Sequence, residues 1–390
     1  MSAERPEQPG RDGAVKLDSD RITTTTRHPD ETRGRLQAWL AATLAPGSHP
    51  VVTELSSPDS NGMSSETVLF TAAWDDHGAR SEHRLVARIE PPAAAHPIFA
   101  TYDLDLQFRV MRLVGGHTAV PVPETLWYEP DPAPLGGPFF VMARVDGQVP
   151  PDVLPYTFGD NWVFDATAEE RRALQESAVE ALAGIHSITP DRYDLEYLRP
   201  GPPGATTLER LVHRWKAYCA WVVKDAPSPL LASGFDWLEE HRPTEVGADA
   251  LSWGDSRIGN MIFRDHAVVA VLDWEMASVA PPEVDLGWLC YLHLFFHDLA
   301  TDLDAPGLPE MLRPADVAAS YARASGYVPV DLTWFVAFAA VRHGAIMRRV
   351  TERAILFGEA PEPEDIDDLI IHRRSLAGML DGSYWSGLAL

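Results

Sequence analysis

Residues 252–275, SWGDSRIGNMIFRDHAVVAVLDWE, constrain this chain more than any other stretch. A polar loop carries Asp255, Arg257 and Asn260 and runs into two short apolar segments, 261–263 and 268–272. Arg264-Asp265-His266 lies between the two segments and is polar enough for a tight turn. Apolar runs of strand length on both sides of a turn predict a β-hairpin. The second strand ends on Asp273 and so returns a carboxylate to the loop from which the hairpin started. Two carboxylates and one carboxamide at a single bend supply hard oxygen ligands for Mg²⁺ beside a reacting hydroxyl.

The spacing sharpens this reading. Kinase catalytic loops place a base Asp and a metal-binding Asn with four residues between them, and a second metal-binding Asp farther on. Asp255 and Asn260 have that separation, and Asp273 stands in the third position. Arg257 is two residues past Asp255, within reach of a transferring phosphoryl group. Such transfer asks a protein mainly for positioning and charge neutralisation. Taken singly, Asp, Gly and Asn are ordinary turn residues. Their joint occurrence ahead of a nearly continuous apolar strand favours a site.

Trp253-Gly254-Asp255 through Asn260, followed by Leu272-Asp273-Trp274-Glu275, resembles the catalytic core of the aminoglycoside phosphotransferase family. The resemblance runs from about Val51 to about Arg374 and is strongest over 252–288. It lies nearest to actinobacterial members and members associated with acyl-CoA dehydrogenases. Trp253 stands where the family usually has a structural His. The resemblance implies an α+β, two-lobed protein-kinase-like fold with a small antiparallel-sheet N-lobe and a mainly helical C-lobe. It implies ATP, with GTP as an alternative, as donor of a γ-phosphate to a small-molecule hydroxyl, and Mg²⁺ as the metal.

Site residues carry over position by position. Asp255 and Arg257 become catalytic, and Asn260 and Asp273 metal ligands. Ser64, Ser65 and Thr67 fall in the turn and strand that overlie the nucleotide in the family. Arg88 falls where the family commonly has a Lys for the phosphates, with Arg84 its competitor on the same strand face. The Ala143 carbonyl and Val145 amide match the adenine-binding hinge. Gln107 stands where kinases place a helix Glu, with Asp103 and Asp105 as substitutes for it. His186 reads as a packed structural residue, and Asp285 as a helix cap that braces the loop. His293 and His297, four apart with no third ligand evident, read as core or pocket residues.

Composition bounds the rest. A chain of 390 residues, 45% hydrophobic, can bury two lobes. Two cysteines exclude a disulfide framework. The formal charge of −25 argues against nucleic acid and anionic membranes as partners and leans weakly toward a cationic acceptor. The start shows no apolar signal segment, so a cytoplasmic setting is expected. Residues 1–28 read as a mobile tail, 29–146 as the N-lobe and 147–390 as the C-lobe. Helices are expected over 167–186, 206–224, 230–241, 314–325, 331–355 and 363–380. Two readings compete with a small-molecule kinase: a kinase-fold nucleotide-binding protein with little turnover, and a kinase for hydroxyacyl thioesters. The sequence leaves the oligomeric state open.

Overall fold

A computed structural model describes residues 27–57, 66–76, 78–92, 95–199, 201, 206–224 and 226–387. Of the expected tail, residues 27 and 28 are described, and Arg27 pairs with Glu66 and donates to the Leu135 carbonyl (2.7 Å). Helix α1 (Pro29–Thr43) leads into strands β1 (Val51–Ser56), β2 (Glu66–Asp76) and β3 (Ala79–Ile89). Helix α2 (Leu104–His117) and strands β4 (Thr125–Glu129) and β5 (Phe139–Ala143) complete this half. The strands form one antiparallel sheet in the order β1-β2-β3-β5-β4.

Period-two alternation divides the sheet's two faces. Val68, Phe70, Ala72 and Trp74 of β2, with Leu85, Ala87 and Ile89 of β3, pack with Leu36, Trp39 and Leu40 of α1. The intervening Val86 of β3, with Phe140 and Met142 of β5, packs with Leu104, Phe108 and Met111 of α2. Arg88 and Arg84 share the parity of Val86, so both side chains leave the sheet on the side away from α1. Asp30 does not cap α1. His28 holds the N-cap position, Pro29 starts the helix, and Asp30 sits in the first turn. Proline is suited to that place because its missing N–H would have no partner there.

The remainder is mainly helical: α3 (Trp162–Asp165), α4 (Ala168–His186), α5 (Thr207–Val222), α6 (Pro229–Glu240), α7 (Glu283–Asp302), α8 (Pro314–Ser325), α9 (Thr333–Leu356) and α10 (Arg373–Asp381). Capping boxes start α4 and α5, with Thr167 and Glu170 on one and Thr206 and Glu209 on the other. Helices α7 over 283–296 and α9 over 334–345 are buried all round and form the centre of the helical core. Cys219 and Cys290 are buried and unpaired, as expected. Among the described residues no helix is long and apolar enough to cross a membrane.

The single helix expected over 363–380 is divided into a 3₁₀ turn, Ile366–Leu369, and α10. The cause is tertiary. The Asp367 carboxylate accepts from the Ser228 hydroxyl and the Leu230 N–H (3.1 Å), so it serves the start of α6.

Short strands sit among the helices: β6 (Ala250–Ser252), β7 (Met261–Arg264), β8 (Ala267–Val271) and β9 (Ser278–Ala280). β6 pairs with β9, and β7 with β8. Arg264 faces Ala267 across a two-residue turn in which Asp265 and His266 have φ of 50° and 62°. Positive φ at both positions is the type I′ geometry that matches strand twist. Past β5, Gln148 exchanges two backbone hydrogen bonds with Phe263 (2.8 Å each), which ties the crossing segment to the hairpin. Only glycine fits at 147, because an added Cβ would collide with Ile262 and the Phe263 carbonyl.

Candidate active site

The loop 252–260 leaves β6 and is held from below by Asp285, in the first turn of α7. Asp285 accepts from the Ser252 hydroxyl (2.9 Å), the Trp253 N–H (2.7 Å) and the Gly254 N–H (2.9 Å). His186 Nε2 lies 3.0 Å from the same carboxylate, and the Ser256 hydroxyl donates to the Asp285 carbonyl (2.8 Å). Asp285 therefore braces the loop as expected. It does not cap its own helix, whose N-cap is Pro282. Burial alone would push the Asp285 carboxyl up, but the His186 contact and the loop donors outweigh it and hold the carboxyl below its ordinary range.

Gly254 has φ of +93°, and a Cβ there would meet the Met276 carbonyl. Gly254→Ala is expected to lower stability by about 1–3 kcal/mol, the usual range for such strain, plus the clash. Thermal unfolding checks this, and an unchanged midpoint would show that the loop relaxes freely.

Asp255 receives a donor on each oxygen: Trp288 Nε1 on Oδ1 (2.7 Å) and Asn260 Nδ2 on Oδ2 (2.7 Å). Its carboxyl is pushed up to about 7, first by burial and next by the negative charge of Asp273. The two carboxylates thus act on each other electrostatically, and the hairpin brings them to one place. The Leu272 N–H donates to the Asn260 carbonyl (2.9 Å). Trp253 Nε1 donates to the carbonyls of Leu272 (2.9 Å) and Asp273 (3.2 Å), so the indole at the family's His position fixes the strand end. Asp273 has φ of +58°, in the left-handed region that Asp enters more readily than most residues other than glycine.

Arg88 reaches this point from the sheet. Its Nη2 donates to Asp273 Oδ1 (3.1 Å) and its Nη1 to Thr67 Oγ1 (3.4 Å), Thr67 being its register partner on β2. Arg84, its competitor, pairs with Asp146. The expected helix partners of Arg88 are engaged elsewhere: Asp103 accepts the Leu106 N–H (2.8 Å) and Asp105 pairs with Arg109. Gln107 is buried, and its Nε2 has no hydrogen-bond partner among the described residues.

Ser64 and Ser65 lie outside the described residues. Arg144 N–H donates to the Arg84 carbonyl (2.9 Å), while the Ala143 N–H donates to Glu124 (2.8 Å) on the opposite side. By strand alternation the Ala143 carbonyl faces away from β3. Val145 follows two residues later, outside β5. Arg257 lies beside Asp255. Its guanidinium pairs with Asp152 and lies 3.3 Å from Asp255, so its charge is already answered by two carboxylates. His293 has both nitrogens engaged, by the Tyr156 hydroxyl and the Leu308 carbonyl (2.9 Å each), which makes it a core residue.

Sequence reasoning missed Asp152 and Trp288. Asp152 comes from a segment 105 positions away with no motif of its own. Trp288 had a readable signal: it lies three residues after Asp285 on α7, hence on the same helix face.

The residues fit a divalent cation. Asn260 directs Nδ2 at the carboxylate and carbonyl of Asp255, which turns Oδ1 the other way. Oδ1 and the Asp273 carboxylate are two hard oxygens, the small protein ligand set Mg²⁺ takes when substrate phosphates and water complete its shell. Among the described residues no group of three or more His, Cys, Asp and Glu side chains gathers for a metal.

The family model described as phosphotransferase enzyme family matches residues 57–325, more than half of the chain. The chain belongs to that family. It is similar to the Arabidopsis thaliana protein named "Probable acyl-CoA dehydrogenase IBR3", at 29% identity over 76% of this chain and 36% of the relative. It is also similar to human acyl-CoA dehydrogenase family member 11, at 26% identity over 71% of this chain and 34% of the relative. The chain thus spans about a third of the length of these curated relatives. Among solved structures, a candidate aminoglycoside phosphotransferase from Ralstonia eutropha aligns with TM-score 0.62 and 22% identity, covering 90% of this chain and 98% of the other. A type I macrolide 2'-phosphotransferase aligns with TM-score 0.53 and 15% identity over 92% of this chain and 97% of the other. The fold is the kinase-like α+β fold of these phosphotransferases, as the sequence implied.

Proposed function

We propose that this chain transfers the γ-phosphate of ATP to a hydroxyl of a small molecule, with the nucleotide between residues 29–146 and 147–390. The carrying observation is the convergence of Asp255, Asn260, Asp273 and Arg88, linked by the 2.7 Å Asn260–Asp255 and 3.1 Å Arg88–Asp273 contacts. Asp255 aligns the acceptor hydroxyl and takes its proton as the new O–P bond forms and the bond to the leaving diphosphate breaks. Its raised pKa suits it to receive a proton near neutral pH. Asn260 Oδ1 and Asp273 would hold Mg²⁺, which when bound neutralises phosphate charge. Arg88, drawn to the phosphates, supplies a cation from the sheet. Thr67 lies over the phosphates, and the Ala143 carbonyl and Val145 amide meet the base. Arg257 holds the loop beside Asp255. GTP stays as the alternative donor, since an aminoglycoside 2'-phosphotransferase of similar fold was solved with GDP. A cytoplasmic setting, where ATP is supplied, belongs to this reading.

Two acceptor classes follow from different observations. The net charge of −25 favours an aminoglycoside-like cation. The relatives named acyl-CoA dehydrogenases favour a hydroxyacyl thioester. A second reading, nucleotide binding with little turnover, is favoured by Gln107 at the helix position and by Arg88 standing where the family commonly has Lys.

One screen tests all three. ADP formation is measured with ATP, Mg²⁺ and a library that includes aminoglycosides and hydroxyacyl thioesters. At least one acceptor is expected to raise turnover, and Asp273→Ala to reduce it by on the order of 10²-fold or more. A nucleotide-induced rise in unfolding temperature with no acceptor-dependent ADP would establish the second reading instead.

A further inference from the structure

Arg342, in the middle of α9, is 2% exposed. A charge this deep is normally opposed by a carboxylate or fully hydrogen-bonded. Arg342 is held differently. Its guanidinium carbon lies 4.4 Å from the Trp288 ring centroid, 4.7 Å from that of Trp215 and 5.3 Å from that of Phe338. Its Nη2 donates to the Gly254 carbonyl (3.1 Å), while Nε and Nη1 are buried with no hydrogen-bond partner among the described residues. The cation is therefore caged mainly by aromatic faces.

Two of these contacts lead to the same place. The Gly254 carbonyl belongs to the peptide that enters Asp255. Trp288 presents a ring face to Arg342 and its indole N–H to Asp255 Oδ1 (2.7 Å). We propose that Arg342 is a positioning residue for phosphoryl transfer, fixing through the Gly254 carbonyl and the Trp288 ring where the Asp255 carboxylate points. This rests on the kinase reading for its consequence, though not for its geometry.

The Gly254 N–H is held by Asp285 and its carbonyl by Arg342, so the two successive peptides that lead into Asp255 are each tied down. A cation over the indole face draws electron density from the ring and strengthens its N–H as a donor, as polarised hydrogen-bond chains do. Finally, displacing a catalytic group by about 1 Å can slow a reaction about 10²-fold, so a buried strut far from substrate can control rate. The groups facing Arg342 are Asp285 and Asp255, which favour its charge, and Arg214, which opposes it. Burial is the largest influence and pushes its pKa down to about 9, so it stays charged at neutral pH.

The test uses the full chain with R342M, R342K and W288F. In nucleotide-free protein, R342M is expected to speed amide hydrogen exchange in 252–260 while exchange in β2 and β3 stays unchanged. With an acceptor from the screen, R342M is expected to lower kcat by about 30-fold or more with KM for ATP within about threefold, as a displaced catalytic group requires. R342K, which keeps the charge and can reach the carbonyl, recovers part of the loss. R342M/W288F is expected to be about as slow as the slower single variant, since both act through Asp255.

A kcat for R342M within about twofold of wild type, or independent multiplication of the two effects, would reduce Arg342 to a packing residue. If R342M does not fold, the R342K/W288F pair makes the same decision by the same two criteria. If wild type transfers phosphate to no acceptor, the kinase reading fails, and the exchange measurement alone decides whether Arg342 positions the loop.

Discussion

Asp255→Asn is expected to leave a folded protein whose phosphoryl transfer falls by about 10²- to 10⁴-fold, the range for loss of a general base. The side chain is well placed for that effect. Trp288 and Asn260 each donate to one of its oxygens, and Arg257 lies beside it, so the carboxylate has a defined orientation and little freedom to be replaced by water. Asparagine preserves size but puts an N–H₂ against one of those donors and cannot take a proton. kcat should fall while KM for ATP changes little, because the nucleotide contacts assigned to Arg88 and the hinge are untouched. A steady-state assay with the screened acceptor, together with an unfolding curve, checks both halves. Turnover within a few-fold of wild type would remove the assigned role of Asp255.

Asp285→Ala is expected to have the largest effect on stability. Asp285 is fully buried and receives Ser252, Trp253, Gly254 and His186. Removing one partner of such a buried, charge-bearing network costs on the order of 3–5 kcal/mol, because the donors left behind have no water to replace it. Activity should fall with it, since the loop that carries Asp255 loses its floor.

The sign of the pH dependence follows from the depressed carboxyl. Its folded-state pKa lies below the ordinary value, so its contribution is present above the unfolded carboxylate range. That contribution is lost as pH falls through the folded value. Wild type should therefore lose stability on acidification across this range more steeply than Asp285→Ala. Unfolding midpoints along a pH series measure the difference, and parallel curves would show that Asp285 contributes no linked protonation.

Much of the site was readable because its parts are close in sequence. The four-residue gap from Asp255 to Asn260, the polar turn at 264–266 and the apolar run ending at Asp273 predict a loop and a hairpin from local rules, and both form. Strand alternation likewise puts Arg88 on the face away from α1. The partner of Arg88 was not readable. The expected helix substitutes, Asp103 and Asp105, are engaged by Leu106 and Arg109, and the guanidinium crosses to Asp273, 185 positions on. Arg257 shows the same limit: its spacing from Asp255 gives its place, while Asp152 gives its direction. The expected helix over 363–380 broke because Asp367 is drawn to the start of α6, a demand that no local propensity contains.

By itself, then, the amino-acid order determined most of the elements, the sheet faces and the loop-hairpin unit, since backbone periodicity and turn chemistry act over a few residues. Tertiary structure alone decided which distant groups complete the site. Helices α7 and α9 are buried on every side over 283–296 and 334–345, so their sequences mark no preferred face there. Only their packing against each other brings Trp288 and Arg342 beneath Asp255.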